Sequence, residues 1–251
     1  MSSATVTLES LPGFLDLDVD TLGAVTAISQ LIEVPVDAVL CRQGSQPEAL
    51  NYLLDGQVTL TQAAANGEVA VIDVLRPVRG IDLANVVTGC AHQVTARALT
   101  ASRLMELRAA PLRTMIGQRP SLAATMLQGL SLDLNAVTRH VIDLKLRTAT
   151  QRLGCYLLEQ AAGAPGNQAA FRLMVRKGLL AAQIGCRHEN LSRAFAILRD
   201  YGVETHGSRV ILHDIELLRR YALPDAPPVG PDARPGLDRS ARAFSDAFRL
   251  R

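Results

Sequence analysis

The chain has 251 residues, 48% of them apolar and 4% aromatic with no tryptophan, enough for two modest cores and against a disordered or fibrous protein. Its formal charge of +2 hides an uneven distribution: residues 1–118 carry 7 basic and 12 acidic side chains, whereas residues 145–223 carry 12 basic and 6 acidic. The second stretch has the electrostatic footprint of a phosphate binder, and the first should stay off a polyanion.

No apolar run approaches the roughly 20 residues that span a bilayer, and the first residues lack a basic start followed by an apolar core, so a cytoplasmic protein is expected. Cys41, Cys90, Cys155 and Cys186 are scattered without paired spacing, which argues against a disulfide scaffold, a zinc finger or a CxxC redox site. The sequence also lacks a nucleotide-binding glycine loop, a GxSxG elbow, an HExxH pair and paired catalytic carboxylates. A catalytic function is therefore not expected.

In chain order, Leu11 to Leu31 reads as a short helical lead-in. Leu40 to Leu107 reads as strands: short apolar runs are broken by Gly44, Asp55-Gly56, Asn66-Gly67, Arg79-Gly80 and Gly89, close to the 8–12 residue spacing of an antiparallel barrel or roll. Asn66-Gly67 is a hairpin signal, because both residues tolerate the positive φ of a tight turn. Near the end of this stretch, Cys90-Ala91-His92 sets a thiol and an imidazole two residues apart. Loops and strand ends commonly carry such pairs.

Leu127, Leu130, Leu134, Val137, Val141 and Leu144 then alternate at spacings of 3 and 4 without interruption. That period predicts a coiled-coil seam, hence a helix-paired dimer. Met126 and Ile142 partly widen the stripe, so a helix packed only within its own chain is the alternative. Arg147 to Gln160 reads as a linking helix, and AAGAPGNQ from Ala161 as a loop before an edge strand at Phe171.

The most informative segment is Leu179 to Leu212, LLAAQIGCRHENLSRAFAILRDYGVETHGSRVIL. A first short helix carries Leu180, Ala181 and Ile184 and stops at Gly185, which permits the left-handed turn. On a second helix, Leu191, Ala194, Phe195 and Leu198 fall on one side and Glu189, Ser192 and Arg193 on the other. The free face suits a DNA major groove: an Arg donates two bonds to guanine, and a carboxylate accepts from cytosine N4. A solvated face with a Glu–Arg pair is the bland alternative, weakened by the preceding helix, the Gly turn and the hairpin that follows. Beyond Pro224 the tail PDAPPVGPDARPG is too rich in Pro and Gly for regular structure, while Leu237 to Leu250 reads as a short helix. His140, His188, His206 and His213 do not cluster in sequence with carboxylates or cysteines at ligand spacing.

From about Leu11 to Leu223 the chain resembles the Crp/Fnr family of transcription regulators. GCRHENLSR is similar to that family's turn and recognition helix, and Glu189-x-x-Ser192-Arg193 to its Fnr-type base-reading pattern. The resemblance implies an α+β fold: an N-terminal antiparallel, jelly-roll-like β-roll over residues 1–118, a dimerisation helix over 119–146, a winged helix-turn-helix over 147–223, and a flexible tail over 224–251. It also implies a homodimer on double-stranded DNA with TTGAT-like half-sites, and RNA polymerase as a partner if the protein activates. Contacts to DNA are expected from Glu189, Ser192, Arg193, Arg187 and His188. One departure is Arg187, which stands where the family usually places a Ser or Thr cap; an Arg cannot accept from the exposed amides, but can meet a phosphate.

Within the roll, cyclic-AMP-responsive members of the family hold their ligand with a Gly-Glu pair and an Arg-Ser pair. Here those positions fall on Asp82 and on His92-Gln93, a poor match for an anion, with Arg97 as a neighbouring source of charge. The effector region is thus placed at Asp82, Cys90, His92 and Arg97, with an effector other than cyclic AMP. Cys90-x-His92 also resembles the ligand position of the family's haem-containing carbon monoxide sensors, which makes these two residues candidate haem ligands. The N-terminus lacks the Pro that supplies the opposite ligand there, and an iron–sulfur cluster is not expected, since no cysteine precedes Cys41. The competing function is a sensory module, haem- or metabolite-binding, that acts through a protein partner.

Overall fold

The computed structural model describes residues 8–173 and 175–224, which fall into two compact units divided between Val141 and Ile142. The expectations for the tail beyond Pro224 and for the first residues lie outside the described residues.

The first unit opens with a turn of 3-10 helix at Phe14–Asp16 and α1 (Val19–Ala27), whose cap is Asp18, accepting from the Thr21 amide at 2.8 Å. Strand β1 (Ser29–Val34) begins at once, so the helical lead-in ends earlier than the sequence predicts and Leu31 is a strand residue. Seven further strands follow: β2 (Val39–Cys41), β3 (Ala49–Asp55), β4 (Val58–Ala63), β5 (Val69–Leu75), β6 (Arg79–Ile81), β7 (Thr95–Ala98) and β8 (Ser102–Arg108). They form two antiparallel four-stranded sheets, in orders β1-β8-β3-β6 and β2-β7-β4-β5. Asn66 and Gly67 lie in the turn between β4 and β5, with Gly67 at φ 83°.

Both faces of β3 and β8 contribute buried residues, because the sheet they share is covered on each side. Leu53, Leu104 and Ile81 join Val58, Leu75 and Ala96 of the other sheet in the core between the sheets. The opposite face, with Leu50, Tyr52, Met105 and Leu107, packs on Phe14, Val25 and Leu112. Phe14 meets the Tyr52 ring edge-on at a centroid distance of 5.6 Å.

The stretch read as all strand also contains a helix, α2 (Leu83–Thr88). Leu83 and Val86 lie three apart and are both buried, while Asp82 before it and Gly89 after it adopt left-handed backbone, at φ 53° and 74°. Six residues are too few for periodicity to stand out from a strand run, and burial rather than propensity holds this turn. After α3 (Ala109–Gln118) comes the long α4 (Pro120–Leu146). On α4, Leu127, Leu134 and Val137 are exposed at 65%, 67% and 58%, whereas Leu122 and Met126 are buried.

The second unit is built on α5 (Ala149–Gln160), α6 (Lys177–Gln183), α7 (His188–Leu198) and α8 (Ile215–Ala222), with a three-stranded antiparallel sheet β10-β11-β9. Its strands are β9 (Ala169–Arg172), β10 (Val203–His206) and β11 (Arg209–Leu212), with β9 at an edge as the sequence predicts. Thr148 and Gln151 close a reciprocal capping box at the start of α5. Gly154 lets α8 approach, since a Cβ there would lie 2.9 Å from that of Ala222.

Candidate functional site

Helices α6 and α7 are joined by the turn Ile184-Gly185-Cys186-Arg187. The Gly185 amide donates to Ala182 and the Cys186 amide to Ala181, a crossed pair of bonds that ends α6 and requires left-handed backbone at Gly185, φ 68°. Any Cβ at that position would also sit 2.8 Å from Leu144 Cδ2.

Helix α7 divides as the sequence predicts. Leu191, Ala194, Phe195 and Leu198 are buried, while Glu189, Ser192 and Arg193 are exposed together with Arg187 and His188 at its start. The free face thus offers a guanidinium, a hydroxyl and a carboxylate within one and a half turns, on a backbone anchored by its opposite side. Arg187 occupies the cap position without a side-chain bond to the helix amides. The Asn190 and Leu191 amides both turn to the Arg187 carbonyl, which leaves the earlier amides and the positive helix end for an anion, and Arg187 adds its own charge beside them. Lys177 stands 5.9 Å over the Phe195 ring, which adds a further cation near α7.

The hairpin β10–β11 carries a cluster that sequence spacing conceals. His206 Nε2 lies 2.6 Å from Glu204 Oε1 and His213 Nε2 lies 2.7 Å from Glu204 Oε2. Glu204 and His206 are two apart on one strand, and the His213 amide bonds the Gly202 carbonyl across the hairpin, so all three side chains share a face. Bonds from His213 and then His206 hold the Glu204 carboxyl below its ordinary range. A cavity of about 410 Å³ beside them is lined by Arg199, Val203 and Thr205 as well. The only sequence signal for this cluster is the i, i+2 pair Glu204 and His206; the approach of His213 needs the strand register.

In the first unit, the residues expected at the effector region are partly brought together. His92 is 5% exposed, and its Nδ1 lies 2.6 Å from Asp82 Oδ2. The other Asp82 oxygen accepts from Asn85 Nδ2 at 2.7 Å, so the carboxylate is engaged on both sides. The backbone of His92 is pinned as well, through Gly44 and Ser45. Arg97 points elsewhere, with Nη1 donating to the Asp37 carbonyl at 2.8 Å. A cyclic phosphate needs a cation turned toward it; His92 is buried against Asp82, and Arg97 reaches the Asp37 carbonyl instead.

Nor do the residues present fit a haem. Cys90 is exposed, and His92 is buried with its Nδ1 engaged by the Asp82 carboxylate. Among the described residues no group of three or more His, Cys, Asp and Glu is placed to hold a metal ion. Burial raises the Cys41 thiol to about 11, against thiolate chemistry there. No described helix is long and apolar enough to cross a membrane.

Comparison with known proteins accords with this division of the chain. Residues 31–119 match the cyclic nucleotide-binding domain, and residues 151–221 match the Crp-like helix-turn-helix domain. No curated protein matches the chain. Among solved structures, FixK2 from Bradyrhizobium japonicum is 18% identical with a TM-score of 0.66, the match covering 80% of this chain and 99% of that one. A transcriptional regulator of the CRP/FNR family from Thermus thermophilus is 20% identical with a TM-score of 0.62, over 77% of this chain and 98% of that one. A CooA mutant from Carboxydothermus hydrogenoformans is 14% identical with a TM-score of 0.63, over 88% and 96%. At such identities these likenesses establish a shared fold alone. The two matched domains together take up more than half of the sequence, and the chain belongs to the Crp/Fnr family of helix-turn-helix DNA-binding transcription regulators with a cyclic-nucleotide-binding-like domain.

Proposed function

We propose that the protein is a sequence-specific regulator that binds a pseudo-palindromic operator as a homodimer and responds to an effector other than a cyclic nucleotide. In this reading residues 1–118 receive the signal, 119–146 pair two chains, and 147–223 read DNA. The observation that carries it is the two-sided character of α7, with Glu189, Ser192 and Arg193 exposed over a buried Leu191, Ala194, Phe195 and Leu198. Arg193 donates to guanine, Glu189 accepts from cytosine, and Ser192 serves either base or backbone. Arg187 and His188 lie at the helix start, where a phosphate is favoured. A TTGAT-like half-site is the expected target.

Dimerisation is supported by the exposed seam of Leu127, Leu134 and Val137, apolar surface that a lone helix would leave in water. Two paired chains would set two copies of α7 roughly 34 Å apart, one turn of duplex. The closed Asp82–His92 pair supports an effector that brings no phosphate to that position.

Selection of duplexes from a random pool, followed by titration at two salt concentrations, tests the proposal. The protein should enrich a palindrome, and log affinity should fall linearly with log salt. Equal binding to selected and scrambled duplexes would refute base reading and direct attention to a protein partner.

A further inference from the structure

Arg152, on α5, turns all three of its guanidinium nitrogens to backbone carbonyls. Its Nη1 donates to Arg147 at 2.6 Å, its Nε to Ile184 at 2.6 Å and its Nη2 to Gly185 at 3.1 Å. The first acceptor lies at the junction where α4 ends and α5 begins, and the other two lie in the turn between α6 and α7. The turn's own crossed bonds use the carbonyls of Ala181 and Ala182 and leave those of Ile184 and Gly185 without helical partners. The start of α7, meanwhile, has no side-chain cap, because Arg187 occupies that position. So the turn that launches α7 is fastened from behind, by one rigid fork that also grips the α4–α5 junction. Leu144 reinforces the same place, packing where a Gly185 Cβ would stand.

We infer that Arg152 is a positioning residue: it couples the α4–α5 junction to the turn before α7 and thereby sets the direction in which α7 meets DNA. It touches no base. Because its acceptors come from two segments, any rotation of the junction is passed to the turn through one side chain, and loss of the fork frees α7 to tilt on its buried face. Lysine cannot replace it, since an ammonium on a flexible stem is not a planar fork able to hold three carbonyls at once. This rests on α7 being the base-reading helix.

The test uses the full chain with Arg152→Met, which keeps an apolar stem, and Arg152→Lys, which keeps the charge. Two measurements are made. Binding to the wild-type-selected duplex and to a scrambled one gives a specificity ratio, expected to fall at least tenfold in both variants with the salt slope nearly unchanged. Amide hydrogen exchange should speed up across residues 185–191 while α5 and α8 keep their protection. If Arg152→Met fails to fold, Arg152→Lys decides alone: a folded Lys variant with wild-type ratio and wild-type exchange overturns the inference, as does a uniform loss on both duplexes. If the wild-type protein selects no duplex, the base-reading proposal fails, and exchange in the turn still decides whether Arg152 fastens it.

Discussion

His92 Nδ1 and Asp82 Oδ2 meet at 2.6 Å, the imidazole almost wholly buried and the carboxylate nearly so. They stand where cyclic-nucleotide-responsive relatives are expected to hold their anion, yet each has already satisfied the other. The pair converts a ligand-facing position into an internal polar contact, and a buried polar group that loses its partner is costly.

Asp82→Ala should therefore destabilise the protein by about 1–3 kcal/mol, since it orphans both His92 and Asn85. Asp82→Asn should cost less, because an amide oxygen still accepts. Urea denaturation of the three proteins checks the order. In the same samples, millimolar cyclic AMP should leave the melting temperature unchanged, because only a ligand that binds the folded state raises it. A rise of several degrees would sink the reading of a closed site.

Arg193→Ala should remove a bidentate base contact worth about 1–3 kcal/mol and flatten discrimination at one position of the half-site. Binding to scrambled DNA should change less. Equal weakening on both duplexes would reassign Arg193 to the phosphate backbone.

Placing Asp at both Leu134 and Val141 puts four carboxylates across a two-fold seam, where unpaired buried charge is strongly unfavourable. Sedimentation should then report a monomer, and binding to the palindrome should fall with it. An unchanged dimer would show that this stripe does not pair the chains.

Three carboxylates link stability to pH. The Thr21 amide and then its hydroxyl hold Asp18 below the ordinary 3.8, and the Leu217 amide and then Asn167 do the same for Asp214. Glu204 is held below 4.5 by His213 and then His206. A carboxyl depressed in the folded state binds its proton more readily when unfolded, so this stabilisation is complete above the ordinary values and drains away as pH falls through the folded ones. The melting temperature should decline as pH falls below about 4.5. Asp18→Asn keeps an acceptor for Thr21 but cannot titrate, and its decline should be shallower; an identical slope would exclude Asp18 from the linkage.

Among the cysteines, Cys90 is exposed whereas Cys41 is half-buried with its thiol raised to about 11. A thiol-specific reagent at pH 8 should modify Cys90 first and reach Cys41 only as the protein unfolds, which peptide mapping over time will resolve. Early modification of Cys41 would contradict the burial that raises its pKa.

Local rules made much of this protein legible from the chain alone. Helix α7, its buried and free faces, the Gly185 turn, the uncapped Arg187 and the Asn66-Gly67 hairpin depend on residues within a turn or two of each other, where periodicity and turn chemistry operate. The charge contrast between the two ends is likewise additive and needs no fold. Tertiary structure decided the rest. Six residues of α2 hide inside a strand-like run because burial, not propensity, makes them helical. His213 reaches Glu204 only through the register of β10 and β11, Asp82 meets His92 across ten residues of chain, and Arg152 finds Ile184 and Gly185 across more than thirty. Such pairings depend on where the backbone passes after it has folded, and no spacing in a linear sequence encodes that.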